Sequence, residues 1–131
     1  MVYLFVGLGG VLGSLLRYFV SAITHNVWNF AFPLGTLLIN LSGAFLLGWV
    51  TSAYITPKKF HPDLLTGFST GVIGSYTTFS TLCLETVELL DKGADGMALL
   101  YVGLSLAGGI AFAHAGMRAG DRGARNVREG L

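Results

Sequence analysis

Apolar and polar positions alternate in long blocks along the chain, and the blocks have the length of membrane-crossing helices. Val2 to Ile23 contains one charge, Arg17, and Pro33 to Tyr54 contains none; each covers 22 residues, where a hydrocarbon core needs about 20 in helical form. The segment 24–32 between them is a short polar and aromatic loop, with Trp28 suited to the lipid headgroup level. Helix two is expected to stop before Pro57, and Lys58 and Lys59 mark an aqueous loop. Pro62 and Asp63 read as the start of a third helix, which runs uncharged from Leu64 to Leu84 and on through Glu85, Glu88 and Asp91 to a stop at Lys92-Gly93. A fourth helix follows Asp95, read as its N-cap, and is uncharged from Met97 to Met117. The pattern thus predicts an all-α, polytopic membrane protein: one domain over 1–117 with helices at 2–23, 33–54, 63–91 and 97–117, and a polar basic tail, 118–131, expected to fray.

Helix three is too long for a plain crossing. Twenty-nine residues from 63 to 91 would reach ~43 Å against a core of ~30 Å. Within it, Gly71 to Thr81 is rich in glycine, β-branched and hydroxyl residues, all poor or hesitant helix formers. This predicts a break near 74–78. Backbone that unwinds at membrane depth survives only where protein, water or an ion satisfies its polar groups, which makes the break the foremost candidate site. A glycine kink relieved by serine and threonine side chains is the plainer alternative.

Composition agrees with lipid as the solvent: 53% of residues are hydrophobic and 11% charged, against roughly 25% charged in soluble proteins. The 19 glycines lie within apolar stretches, where small residues let helices approach closely. A net charge of +1 and a single cysteine, Cys83, exclude a disulfide scaffold, a thiolate metal cluster and an electrostatically driven nucleic-acid binder. Membrane lipid is the partner this implies. No Lys or Arg precedes the first apolar run, so Met1 reads as the start of the mature chain rather than of a cleaved signal.

Little in the chain points to catalysis. Gly7 to Gly13 is spaced one residue too long for a dinucleotide loop and has no strand–helix context. His25, His61 and His114 fall in separate segments without metal-ligand spacing, and no nucleophile shows a His and acid arrangement. Arg17 is either functional, since a charge within a membrane helix costs roughly 2.5–3.5 kcal/mol on insertion scales, or a side chain snorkelling past Ile23. Asn40 sits mid-helix. Thr36, Asn40, Gly43 and Leu47 share one helical face, and Tyr101, Ser105, Gly108 and Phe112 another. Each face alone reads equally as interhelical glue. Helices one, two and four hold no Asp or Glu between Met97 and Met117 or in the first two runs, and in helix three Glu85 follows the break. Amide and hydroxyl hydrogens with aromatic ring edges, and no carboxylates, favour a small anion.

Three motifs are specific: Gly9-Gly10-x-x-Gly13-x-x-x-Arg17-Tyr18; Pro33-x-Gly35-Thr36-Leu37-x-x-Asn40-x-x-Gly43; and Gly71-x-x-Gly74-x-x-Thr77-Thr78-Phe79-Ser80-Thr81-x-x-x-Glu85. Together they resemble the Fluc fluoride channels, also called the CrcB family. The resemblance implies an antiparallel, dual-topology dimer of four-helix subunits with two pores that pass fluoride passively out of the cell, reducing its toxicity. It implies that Asn40 and Phe79 line a pore, that Arg17 sits near an entrance vestibule, and that Thr78, Ser80, Thr81, Glu85, Tyr101 and Ser105 form a polar track. It also implies a structural Na⁺ at the dimer centre, held by the backbone carbonyls of Gly74 and Thr77.

Three positions depart from that pattern: Leu82 stands in place of a second phenylalanine, Gly109 in place of a second helix-four serine, and Ser75 in place of a glycine. Charge is also one-sided. Lys58, Lys59, Arg118, Arg122, Arg125 and Arg128 fall on the side of the N-terminus, with Lys92 alone opposite. The positive-inside tendency then predicts a cell-membrane protein with both termini cytoplasmic, which leaves two assemblies open: a homodimer, or a pair with a homologous chain of opposite bias. A proton-coupled small-molecule exporter is the alternative from another class, but it lacks a membrane glutamate in helix one. A non-conducting partner subunit is a further alternative.

Overall fold

Backbone hydrogen bonding carries α1 (Val2–Val27) one turn beyond the predicted stop at Ile23. The Thr24 hydroxyl donates to the Val20 carbonyl at 2.7 Å and the Trp28 amide to the Thr24 carbonyl at 2.8 Å, so the polar end of the run is still helical. The Trp28 indole then donates to the Phe32 carbonyl at 2.9 Å and closes the connection to α2 (Leu34–Val50), which starts after Pro33. These observations come from a computed structural model, all-helical, that describes residues 1–28, 30–55 and 61–129, with the side chains of 55 and 124–129 left aside. Pro57, Lys58 and Lys59 lie outside the described residues. Before them α2 passes into a π-helical turn, Thr51–Ile55.

The third segment is in pieces. His61 caps α3 (Pro62–Thr66), its Nδ1 accepting from the Asp63 amide at 3.3 Å with Pro62 in the first turn. A π-helical stretch, Gly67–Ile73, leads to a single turn, α4 (Gly74–Tyr76). Thr77 (φ −75°, ψ 158°) and Thr78 (φ −147°, ψ 126°) are extended, and α5 (Phe79–Asp91) resumes. At its end Gly93 takes φ +69°, a conformation that a side chain would strain. The last helix, α6 (Asp95–Glu129), does not stop near Met117 as predicted. Gly116 and Gly120 lie directly on the backbone of Phe45 and Trp49, and the Ser52 hydroxyl bonds Asp121, so packing on the end of α2 extends the helix through residues that read locally as a tail.

Two parallel helix pairs make the bundle. In the first, Gly9 and Gly13 of α1 press on the backbone at Gly67, Val72 and Tyr76; in the second, Gly48 of α2 meets the Ala113 carbonyl while Gly116 meets Phe45. A Cβ at any of these glycines would collide with backbone, so close approach is what requires them. Sequence numbers rise together in both pairs, which fixes an up-down-up-down course. Met1, the end of α2, the start of α3 and the end of α6 share one end; Trp28 and Lys92 share the other.

The buried core is small: Leu37, Leu89, Ala98 and Tyr101 form one cluster, with Phe32, Leu41, Leu82 and Ala94 against them, and Ile39, Val50, Ala53 and Ile73 are buried outside it. Large apolar side chains instead cover the outside of α1 and α6, including Leu8, Leu12, Phe19, Leu99, Leu106 and Ile110. Three helices are long and apolar enough to cross a membrane among the described residues: Val2–Val27, Leu34–Tyr54 and Asp95–Gly123. An apolar exterior over such helices is that of a multi-pass membrane protein.

Candidate functional site

The interruption at Thr77–Thr78 is held from outside its own helix. Asn40, in the middle of α2, donates from Nδ2 to the Thr78 carbonyl and accepts at Oδ1 from the Thr78 amide, both at 2.9 Å. This pairing mimics one rung of a β-ladder, and it satisfies two backbone groups that the broken helix releases. One Nδ2 hydrogen is left over, since an amide nitrogen carries two. Gly43, one turn along α2, lies against the Thr77 methyl, where a Cβ would not fit.

Hydroxyl groups continue from this point. The Thr78 hydroxyl caps α5 by accepting from the Thr81 amide at 3.2 Å, and lies 3.0 Å from the Thr81 hydroxyl and 3.3 Å from that of Ser80. One turn further, the Glu85 carboxyl group accepts from Thr36 at 2.8 Å and from Tyr101 at 2.6 Å. Thr36, Asn40 and Tyr101 thus bring two helices onto the interrupted third segment. On the other side of the break the Tyr76 and Ser42 hydroxyls pair at 3.0 Å.

Two clefts flank this polar line. One, of about 510 Å³, opens at the Trp28 end and is lined by Thr24, His25, Thr36, Thr81, Glu85, Glu88 and Lys92 among others. The other, of about 400 Å³, lies at the break and is lined by Asn40, Gly43, Gly74, Thr77, Thr78, Phe79, Leu82, Ser105 and Gly109 among others. The Thr78–Thr81 contact joins them. The Ser105 Oγ is buried in the second cleft with no hydrogen-bond partner among the described residues. Phe79 is 78% exposed on the same open face.

The predicted site residues therefore divide. Asn40, Thr78, Phe79, Ser105, Gly74 and Thr77 come together at the break cleft, and Thr81 and Glu85 at the other. Tyr101 lines neither: it is fully buried and gives its hydroxyl to Glu85. Ser80 is exposed and touches the line only through Thr78. Arg17 is half-buried on α1, one turn before Ser21, which lines the first cleft, and forms no ion pair among the described residues. Sequence reasoning missed the bonding of Glu85, although its two donors stand one turn before Asn40 and Ser105 on the faces it had singled out. The Ser42–Tyr76 pair gave no signal.

The break also fits a hard cation at backbone oxygens. In an unbroken helix the Thr78 amide would donate to the Gly74 carbonyl and the Thr81 amide to that of Thr77. Here the first goes to Asn40 and the second to the Thr78 hydroxyl, while the Thr77 hydroxyl lies 3.5 Å from the Gly74 oxygen. Freed carbonyls are oxygen donors of the kind that Na⁺ takes. Side-chain ligation is a different matter: no cluster of three His, Cys, Asp or Glu occurs among the described residues.

Comparison with known proteins covers nearly the whole chain. A family model described as CrcB-like protein, Camphor Resistance (CrcB), matches residues 4–117. The Bacillus anthracis protein "Fluoride-specific ion channel FluC 1" is 47% identical over 122 residues, 92% of this chain and 88% of the relative. "Fluoride-specific ion channel FluC 2" of Geobacillus kaustophilus (strain HTA426) is 46% identical over 91% of this chain and 92% of its own length. "Fluoride-specific ion channel FluC 1" of Desulfitobacterium hafniense (strain Y51) is 42% identical over 81% and 91%.

Proposed function

This chain belongs to the CrcB-like family, and on that footing we propose that it is a subunit of a fluoride-selective channel, through which cytoplasmic fluoride leaves by passive permeation. The observation that carries the reading is the Asn40–Thr78 pairing, which holds an opening in helix three beside the cleft that Asn40 lines and leaves its amide one hydrogen to spare. A dehydrated fluoride needs hydrogens to replace its water, and this lining offers the Asn40 amide, the unpartnered Ser105 hydroxyl and the edge of the Phe79 ring. Glu85 does not compete at that depth, because its carboxyl is already engaged by Thr36 and Tyr101.

The segment from Pro62 to Asp91 serves in this reading as a crossing too, the third in chain order, with Thr77–Thr78 near the bilayer centre. The open, exposed face around Phe79 and Gly74 is where a second, antiparallel subunit closes the pore, since one chain does not enclose the cleft. The Gly74 and Thr77 carbonyls of both subunits would hold a structural Na⁺ there, which supplies fixed positive charge between the paired breaks. Arg17 stands toward an entrance and adds to the attraction for anions.

Reconstitution tests the proposal directly. Liposomes carrying the channel are expected to release fluoride to an electrode and to retain chloride. An Asn40→Asp, Phe79→Ile double variant should slow release at least about tenfold, the effect of ~1.4 kcal/mol on a barrier. Unchanged release from that variant would overturn the reading.

Charge asymmetry favours a fixed orientation. The bundle brings Met1 and the end of α6 to one end and Lys92 to the other, in line with the one-sided Lys and Arg distribution. In a Cys83→Ser background, the single substitutions Val2→Cys and Lys92→Cys should label from opposite sides of the membrane, position 2 from the cytoplasm alone. A one-way chain needs a partner of opposite bias, and Gly109, with open space where a Cβ would be, and Leu82 leave that partner room to complete the lining. Labelling of each site from both sides in equal measure would show instead that identical subunits pair.

A further inference from the structure

Beyond the polar line, the far side of α6 carries a third hollow. It measures about 450 Å³ and is lined by Ala111, His114, Ala115, Arg118, Ala119 and Arg122, all on this one helix. The spacing explains the shape. His114, Arg118 and Arg122 recur every four residues, and Ala111, Ala115 and Ala119 do the same beside them, so long basic side chains border a floor of methyl groups. Both arginines are exposed and form no ion pair among the described residues; the adjacent Asp121 bonds Ser52 instead.

The hollow faces away from the cleft and from α2. Gly109, which lines the break cleft, is nine residues from Arg118, two and a half turns at 3.6 residues each, so the two point in opposite directions. Gly116 and Gly120, which press on α2, are likewise on another side. Toward the membrane interior the same strip continues as Leu100, Leu104 and Ala107, all exposed and apolar. Arg118 is the first full charge after the apolar run, so the cations stand where that run meets the headgroups.

We propose that this strip binds an anionic phospholipid, its phosphate between Arg118 and Arg122 with His114 below, and an acyl chain along Ala111, Ala107 and Leu104. Charge complementarity selects the occupant. Unpaired arginines at headgroup depth over an apolar strip match a negatively charged headgroup with its chain, and a second subunit at the break would sit on the opposite side of α6. The proposal rests on the chain spanning a membrane, and it stands whichever ion the cleft passes.

Native mass spectrometry of the full-length assembly tests it, with phosphatidylglycerol titrated against phosphatidylethanolamine. The wild type is expected to retain phosphatidylglycerol preferentially. An Arg118→Gln, Arg122→Gln variant should weaken that preference by about fivefold per arginine, while a Lys58→Gln, Lys59→Gln variant keeps it. Fluoride release and thermal melting of the same samples report separately on the cleft and the fold, and exposed positions should leave melting in place. No preference in the wild type, an undiminished preference in the arginine variant, or an equal loss in the lysine variant would each overturn the site. A change in subunit stoichiometry with lipid preference intact would assign the strip to another chain and overturn it as well.

Discussion

Asn40→Ala is expected to abolish fluoride release and to destabilise the protein by about 1–3 kcal/mol. The alanine removes both bonds to Thr78 and leaves a largely buried amide and carbonyl to find water. Asn40→Asp separates the two contributions. It keeps an acceptor for the Thr78 amide but sets a carboxylate oxygen against the Thr78 carbonyl and adds negative charge beside the cleft. Melting should therefore fall less than in the alanine variant, while release is lost as completely. Circular dichroism melting in detergent beside liposome flux reads both. An alanine variant that melts like wild type would show that the break holds itself.

The second large effect is expected at the contact of α2 and α6. Gly116→Val places a branched side chain on the Phe45 carbonyl and beside the Trp49 amide, both backbone atoms that cannot step aside. Separating the two helices should cost about 1–3 kcal/mol, the usual range for overpacking, and the reciprocal Gly48→Val should do the same. Gly103→Ala is the control. Nothing lies within 4 Å of a Cβ at that position, so alanine should be tolerated and should favour the helix by up to about 1 kcal/mol. Equal melting temperatures for the valine and alanine variants would refute the account of these glycines as spacers.

Much of this could be read from the residues. Long apolar runs with at most one charge mark the first two helices and the start of the last, Pro62 and Asp63 mark the start of α3, and Lys92-Gly93 the turn after α5, because each depends on chemistry within a few positions. What was not legible depends on partners far along the chain. The extended pair Thr77–Thr78 is fixed by Asn40, which composition near the break does not reveal. The π-helical stretches at 51–55 and 67–73 accompany glycine contacts with other helices. The helical course of 118–129 arises from Gly116 and Gly120 meeting α2, although glycine and arginine there look like a tail. Tyr101, which the sequence places on one polar helical face with Ser105, is fully buried and gives its hydroxyl to Glu85, a pairing between distant positions that local pattern does not reveal.

The bend in the third segment takes its replacement bonds from a residue 38 positions earlier. It is a property of the assembled bundle more than of its own stretch of chain. The interruption keeps its shape through the second crossing docked beside it, whose amide stands in for the helical partners that Thr78 gives up.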